Sequence, residues 1–292
     1  MVLGALWGSA FPIIRAGLLA GAAPLAYGAA RFGLAAAAMG VIALVSRDVR
    51  PDRRTLLLSA LFGGVFAIAG YAAFLYTGEE YITGGLASIF VATAPIWSVL
   101  LSRSMLGTDR IGRSGTLGLA AGFVGVVVLL LPDVVGGQRN AVLGGLLALA
   151  AVASFAVGSV LLKRSISTAT GPWGLTVQFT TAALLLGGLA ISPLGSPALP
   201  GNVTVVGTLV WLAAVPSVIG YTIYFRLHHR VGPTRANLVA YVNPAVGVLV
   251  GIGLFHEGVT AYEIAGFLLV LVGLYLLHRG SGTTPAPSTP EK

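Results

Sequence analysis

Asn237, Asn243 and Gln178 lie within long apolar runs, together with the hydroxyl residues Ser88, Thr93, Ser154, Ser159 and Ser217. An amide side chain offers two donors and an acceptor, so it can hold a small polar solute by hydrogen bonds. Asn243 is followed by Pro244, which lacks a backbone donor and frees a carbonyl; the amide can satisfy that carbonyl or bind a ligand. The competing use of these groups is a hydrogen bond between helices, worth about 0.6 kcal/mol in a membrane. A serine can also bond its own helix. Two cations share the apolar sequence. Structural pairing of Arg31 and Arg15 with Glu79 or Glu80 is the expected reading, and attraction of a solute carboxylate by Arg31 is the sharper alternative.

The rest of the chemical inventory excludes more than it offers. Cysteine is absent, which removes thiolate catalysis, a disulfide framework and cysteine metal sites. The four histidines, His228, His229, His256 and His278, fall at different helix ends, with no HExxH-type spacing. No P-loop pattern exists to bind a nucleotide. An intramembrane enzyme needs convergent acid, base or metal groups, so it is a remote reading, and neither a metal nor a cofactor is expected. Glu257 and Glu263, before the last helix, read as helix caps or loop tethers.

The elements that position these groups follow from composition. Of 292 residues 56% are hydrophobic and 9% charged, with mean hydropathy +0.92. A soluble domain carries about 25% charge, so an ordinary soluble enzyme and a disordered chain are both excluded. The apolar runs are continuous rather than alternating, which disfavours a β-barrel. They divide into ten spans, at roughly 1–18, 25–45, 55–76, 82–102, 113–131, 141–162, 172–191, 204–225, 234–255 and 261–277, each near the ~20 residues that cross a bilayer.

One set of loops holds Arg47, Arg50, Arg53, Arg54, Arg103, Arg110, Arg113, Lys163, Arg164, Arg226, Arg230, Arg235, Arg279 and Lys292; the other holds only Arg139. The positive-inside rule puts both termini in the cytoplasm. The net charge of +8 is therefore a topology signal, and nucleic acid is not an expected partner. The residues from Gly280 to Lys292 read as a disordered cytoplasmic tail.

The two halves match each other. Gly70-Tyr71-x-x-Phe74-Leu75 corresponds to Gly220-Tyr221-x-x-Tyr224-Phe225. Ala87 and Pro95 correspond to Ala236 and Pro244; Asp109, Gly118 and Gly125 to Glu257, Gly266 and Gly273; and Pro24 to Pro172. Residues 1–137 and 138–279 thus read as two five-helix repeats. Five is odd, so the second inserts upside down, and inverted repeats with a site at their interface are the usual plan of secondary transporters. Arg15 aligns with Lys163, at the end of the sixth span. Either the first helix continues to about Ala20 with Arg15 reaching toward the interface, or the natural start precedes Met1.

Trp7-Gly8-Ser9-Ala10-Phe11, Pro24 with Arg31-Phe32, Pro95 and Pro244, and the acidic residue before the last helix of each half resemble the EamA-type branch of the drug/metabolite transporter superfamily. The resemblance covers nearly the whole chain. It implies ten helices, alternating access, and a central cavity lined by the first, third, fourth, sixth, eighth and ninth. It also implies export of amino acids, other metabolites or drugs.

On those helices lie Trp7, Phe11, Tyr71, Phe74, Phe90, Trp97, Phe155, Tyr221 and Tyr241. With Asn237 and Asn243 they are the candidate substrate contacts, since flat apolar faces with a few polar handles suit aromatic or amphipathic solutes and cations. Helix packing and interfacial aromatic belts are the alternative. Tyr71 and Tyr221, on oppositely oriented helices, are candidate gates; Pro95 and Pro244 are candidate hinges or static bends. No carboxylate lies centrally in any span. The sequence thus reads as an all-α carrier or facilitator in the cytoplasmic membrane. It would export small metabolites, amino acids first, with cationic drugs, sugars or nucleosides as the alternative; oligomeric state and coupling are left open. Single cysteines at Ser46 and Gln138 test the topology: they are expected to react with an impermeant thiol reagent from opposite sides of the membrane, and reaction from one side would refute ten spans.

Overall fold

The computed structural model describes residues 2–46, 49–106, 112–165, 171–193, 195–223 and 239–280. These are helical, with no strand among the described residues. Eight helices are long and apolar enough to cross a membrane: α1 (Val2–Leu19), α2 (Pro24–Val45), α3 (Arg53–Gly78), α4 (Gly84–Leu101), α5 (Arg113–Val135), α6 (Arg139–Ser165), α7 (Gly171–Ala190) and α8 (Val203–Ile223). Two further apolar helices follow, α9 (Val239–Phe255) and α10 (Ala261–Gly280). The expected tail lies outside the described residues except for Gly280, which ends α10.

Local signals set the helix starts. Pro24 opens α2 at a position where a helix needs no donor. Asp52, Thr83 and Asn202 each accept a backbone N–H three residues on, capping α3, α4 and α8. Thr260 and Glu263 form a reciprocal capping box at α10. That capping was the expectation for Glu263.

Proline and polar side chains bend the spans. Helix α1 runs to Leu19 with an interruption at Ser9, whose hydroxyl bonds the carbonyl of Ala5 at 2.8 Å. Helix α4 is interrupted at Ala92–Thr93, just before Pro95, and the Thr93 hydroxyl takes the Phe90 carbonyl at 2.7 Å. Pro244, by contrast, lies inside a continuous α9. The two candidate hinges are thus built differently. More unusual are two π-helical stretches, Ser59–Gly70 in α3 and Ala213–Gly220 in α8. Both end at the glycine of the repeated Gly-Tyr pair.

Helix contacts come in matched sets. Helix α1 packs on α9 and α8; α6, its counterpart, packs on α4 and α3. Helix α2 meets α8, and α7 meets α3. The pairs α2–α7 and α5–α10 join one helix of each half. The first pair packs on α3 and α8, the second on α4 and α6, so both flank the helices α1, α3, α4, α6, α8 and α9.

The α5–α10 pair depends on missing side chains. A Cβ on Gly118 would lie 2.5 Å from the carbonyl oxygen of Gly273, and one on Gly125 2.8 Å from that of Gly266. Small residues let membrane helices approach to backbone contact, where dispersion is strongest. Gly118→Leu must therefore push the backbones apart. We expect a loss of about 1–3 kcal/mol, read as a lower unfolding temperature in detergent, whereas Gly188→Leu, facing open space, should leave it nearly unchanged.

Candidate functional site

The π-helical stretches of α3 and α8 create the site. A carbonyl oxygen has two lone pairs, so it can take a second donor where a neighbour comes close enough. The Trp7 indole Nε1 donates to the carbonyl of Pro216 at 3.0 Å. At the equivalent place in the other half, the Ser154 hydroxyl donates to the carbonyl of Phe66 at 2.8 Å. Residues 66 and 216 correspond at the same offset as Gly70 and Gly220. Each glycine admits the donor: a Cβ on Gly70 would lie 2.3 Å from the Ser154 oxygen, and one on Gly220 2.6 Å from the Trp7 nitrogen. Aromatic contacts repeat the same pattern. The Trp7 and Tyr221 rings are 5.4 Å apart, and those of Phe155 and Tyr71 are 5.8 Å apart. Each π-helical turn is thus met by the first helix of the opposite half.

From Tyr221 an aromatic chain runs on. Phe179 of α7 meets Tyr221 edge-on at 5.4 Å and stacks on Phe32 of α2 at 5.7 Å. The Arg31 guanidinium lies 5.0 Å from the centre of the Phe32 ring. Arg31 is buried and donates to the Ser217 hydroxyl at 3.0 Å and to the Tyr76 hydroxyl. Pro216 explains the Ser217 partner. Proline has no N–H for the Leu212 carbonyl, and the Ser217 hydroxyl donates its O–H there instead at 3.0 Å. Its remaining lone pair then faces Arg31. Tyr27 stacks near Tyr76 and bonds Thr208 at 2.7 Å.

The expected pairing of the two arginines with acids is not what forms. Arg31 takes hydroxyls, and Arg15 donates to the carbonyls of Glu79 and Ile82. Hydroxyls and carbonyls disperse the charge without requiring a second buried ion. Glu257 turns elsewhere: its carboxylate accepts the N–H groups of Gly84 and Gly85, both at 2.9 Å, and so ties the end of α9 to the start of α4. That matches the tethering expected of it.

Among the sequence candidates, Trp7, Tyr71, Phe155, Tyr221 and Arg31 come together. Tyr71 lies within electrostatic reach of Tyr221 and Arg31. Phe11 is buried in the core. Phe90 is wholly buried against Gly145, and Trp97 meets Phe123 of α5 edge-on, so both fill contacts between helices. Phe74 is exposed. Asn243 lies on α9, where its backbone carbonyl approaches Gly8. Asn237 and the side chain of Tyr241 lie outside the described residues. Phe179 was missed; its signal was the preceding Gln178, a buried amide in the same run. Gly220→Ala is expected to expel the Trp7 indole and cost about 1–3 kcal/mol, measured by thermal unfolding. Gly188→Ala, with no neighbour in reach, should be neutral or stabilising, as alanine favours helix over glycine.

The EamA-like transporter family matches residues 1–131 and again 142–279. A "Probable amino-acid metabolite efflux pump" of Escherichia coli K12 is 29% identical, covering 93% of this chain and 90% of its own. The "Uncharacterized inner membrane transporter YedA" of the same organism is 28% identical, covering 96% and 90%. A "Probable terminal-alkyne amino-acid exporter" of Streptantibioticus cattleyicolor is 28% identical, covering 97% and 94%. One crystal structure aligns over 95% of this chain and 97% of its own with a TM-score of 0.59 at 19% identity, which shows the shared fold. The chain belongs to the EamA-like transporter family.

Proposed function

We propose that this transporter exports amino acids, aromatic or large apolar ones first, from the cytoplasm by alternating access. One observation carries the reading: an unbroken aromatic chain, Trp7, Tyr221, Phe179 and Phe32, is drawn from both halves and ends on the buried Arg31. Ring faces suit an apolar side chain, and a guanidinium suits a carboxylate. Two of the relatives carry amino-acid efflux or export in their names. The solute site lies between the repeats, with Trp7, Tyr71, Phe155, Tyr221 and Arg31 nearest to it; Asn237, Tyr241 and Asn243 are further candidate contacts.

Residues 1–137 and 138–279 act as two inverted five-helix repeats, ten spans in all, with both termini cytoplasmic. The matched helix contacts and the repeated π-helical turns support that arrangement. Pro95 is the more mobile of the two proline sites, since its helix is already interrupted, and Pro244 the stiffer.

Proteoliposomes loaded with a panel of radiolabelled amino acids test the reading. We expect saturable flux of aromatic and large apolar amino acids, reduced at least tenfold in Trp7→Ala, equivalent to about 1.4 kcal/mol, and reduced in Asn243→Ala. A folded protein that moves no amino acid but moves cationic drugs, sugars or nucleosides would refute the amino-acid assignment.

A further inference from the structure

Glu79, one residue past the end of α3, is fully buried, yet neither of its carboxylate oxygens has a hydrogen-bond partner among the described residues. The groups that face it are committed elsewhere. Arg15 of α1 holds the backbone carbonyls of Glu79 and Ile82 rather than the carboxylate. Arg31 of α2 holds Ser217 and Tyr76. Glu257, beyond α9, is bound to the N–H groups of Gly84 and Gly85. Tyr27 of α2 and Tyr71 and Tyr76 of α3 complete the titratable groups in electrostatic range. Helix α6 packs on the preceding Gly78 through Gly144, Leu147 and Ala148. The adjacent Glu80 and Tyr81 are exposed.

A buried carboxylate with no donor is unstable, and a proton is the smallest thing that repairs it. Burial, reinforced by the Glu257 charge, pushes the Glu79 carboxyl well above the usual carboxylate range against the pull of Arg15 and Arg31. If Glu79 ionises, the cation beside it gains a stronger partner than two carbonyls. Arg15 would then leave the turn between α3 and α4 that it now holds shut.

We propose that Glu79 is a proton-operated latch at the outer end of the bundle, neutral when α1, α3 and α4 are packed as here and ionised when Arg15 swings to it and that end opens. The word outer, and any effect on export, rest on the transporter reading above; the latch itself does not. The sign follows from linkage. The folded, closed state binds a proton that the unfolded chain has lost, so stability falls as pH rises from the ordinary glutamate range toward the raised value.

The absence of native cysteine allows a test that needs no solute. Ile82, 4% exposed beside the latch, is replaced in Ile82→Cys, and its labelling rate by an impermeant thiol reagent is divided by that of the exposed Gln138→Cys. The ratio removes the pH dependence of the thiol itself. We expect it to rise several-fold between about pH 5 and 8 and to stay low and flat when Glu79→Gln is added. The unfolding temperature should fall over the same range in the parent and not in Glu79→Gln, while Glu80→Gln behaves as the parent. A ratio that is flat with pH in the parent overturns the latch, as does a slope that persists without Glu79. If Glu79→Gln does not fold, Arg15→Gln should abolish the slope instead, and a retained slope would overturn the proposal. A latch that titrates in a folded protein that carries no amino acid would refute the solute assignment and leave the latch standing.

Discussion

Backbone carbonyls inside a membrane must find donors within the protein, and the architecture turns on how two of them do so. The π-helical turns of α3 and α8 present the carbonyls of Phe66 and Pro216 to the opposite half of the molecule. Ser154 and Trp7 fill them. In hydrocarbon there is no water to compete for these carbonyls, so the contacts fix which turn of one half meets which turn of the other. The glycines at positions 70 and 220 are the price of that approach, since any side chain there would occupy the donor's place.

Around this symmetric frame the charge is asymmetric. Arg31 of α2 falls, by the repeat, opposite Phe179 of α7, and the structure places both on the same aromatic chain. One half brings the cation and the other brings a ring, so the centre of the bundle has one polar end and one apolar end. Pro216 contributes indirectly. Its missing donor recruits Ser217 to the helix backbone, and Ser217 in turn orients Arg31. A backbone defect on α8 thereby fixes a charged side chain on α2.

The far end of the bundle follows a different rule. There the acids do not pair with the arginines. Glu257 satisfies the start of α4, and Arg15 satisfies carbonyls at the end of α3. Each removes an unpaired backbone group at a helix end that packing has hidden from water. Among the described residues the Glu79 carboxylate is left with no hydrogen-bond partner.

The sequence by itself determined the class of the molecule. Composition and continuous apolar runs require membrane helices, because a soluble fold of this size cannot cover its surface with so few charges. The repeated Gly-Tyr, proline and glycine positions announced two similar halves, and Glu263 read correctly as a cap because capping is local. Tertiary structure alone decided who meets whom. Trp7 and Phe155 are ordinary core aromatics in the sequence; they become partners of Tyr221 and Tyr71 only because the halves cross. Phe90 and Trp97 look the same on paper and instead fill helix contacts. Phe179 joins the central chain, and in the sequence only the neighbouring amide of Gln178 marks its run. The arginines looked destined for Glu79 and Glu80, as opposite charges do in one dimension. In three, two hydroxyls and two carbonyls stand nearer, and distance in a dry interior decides the partner.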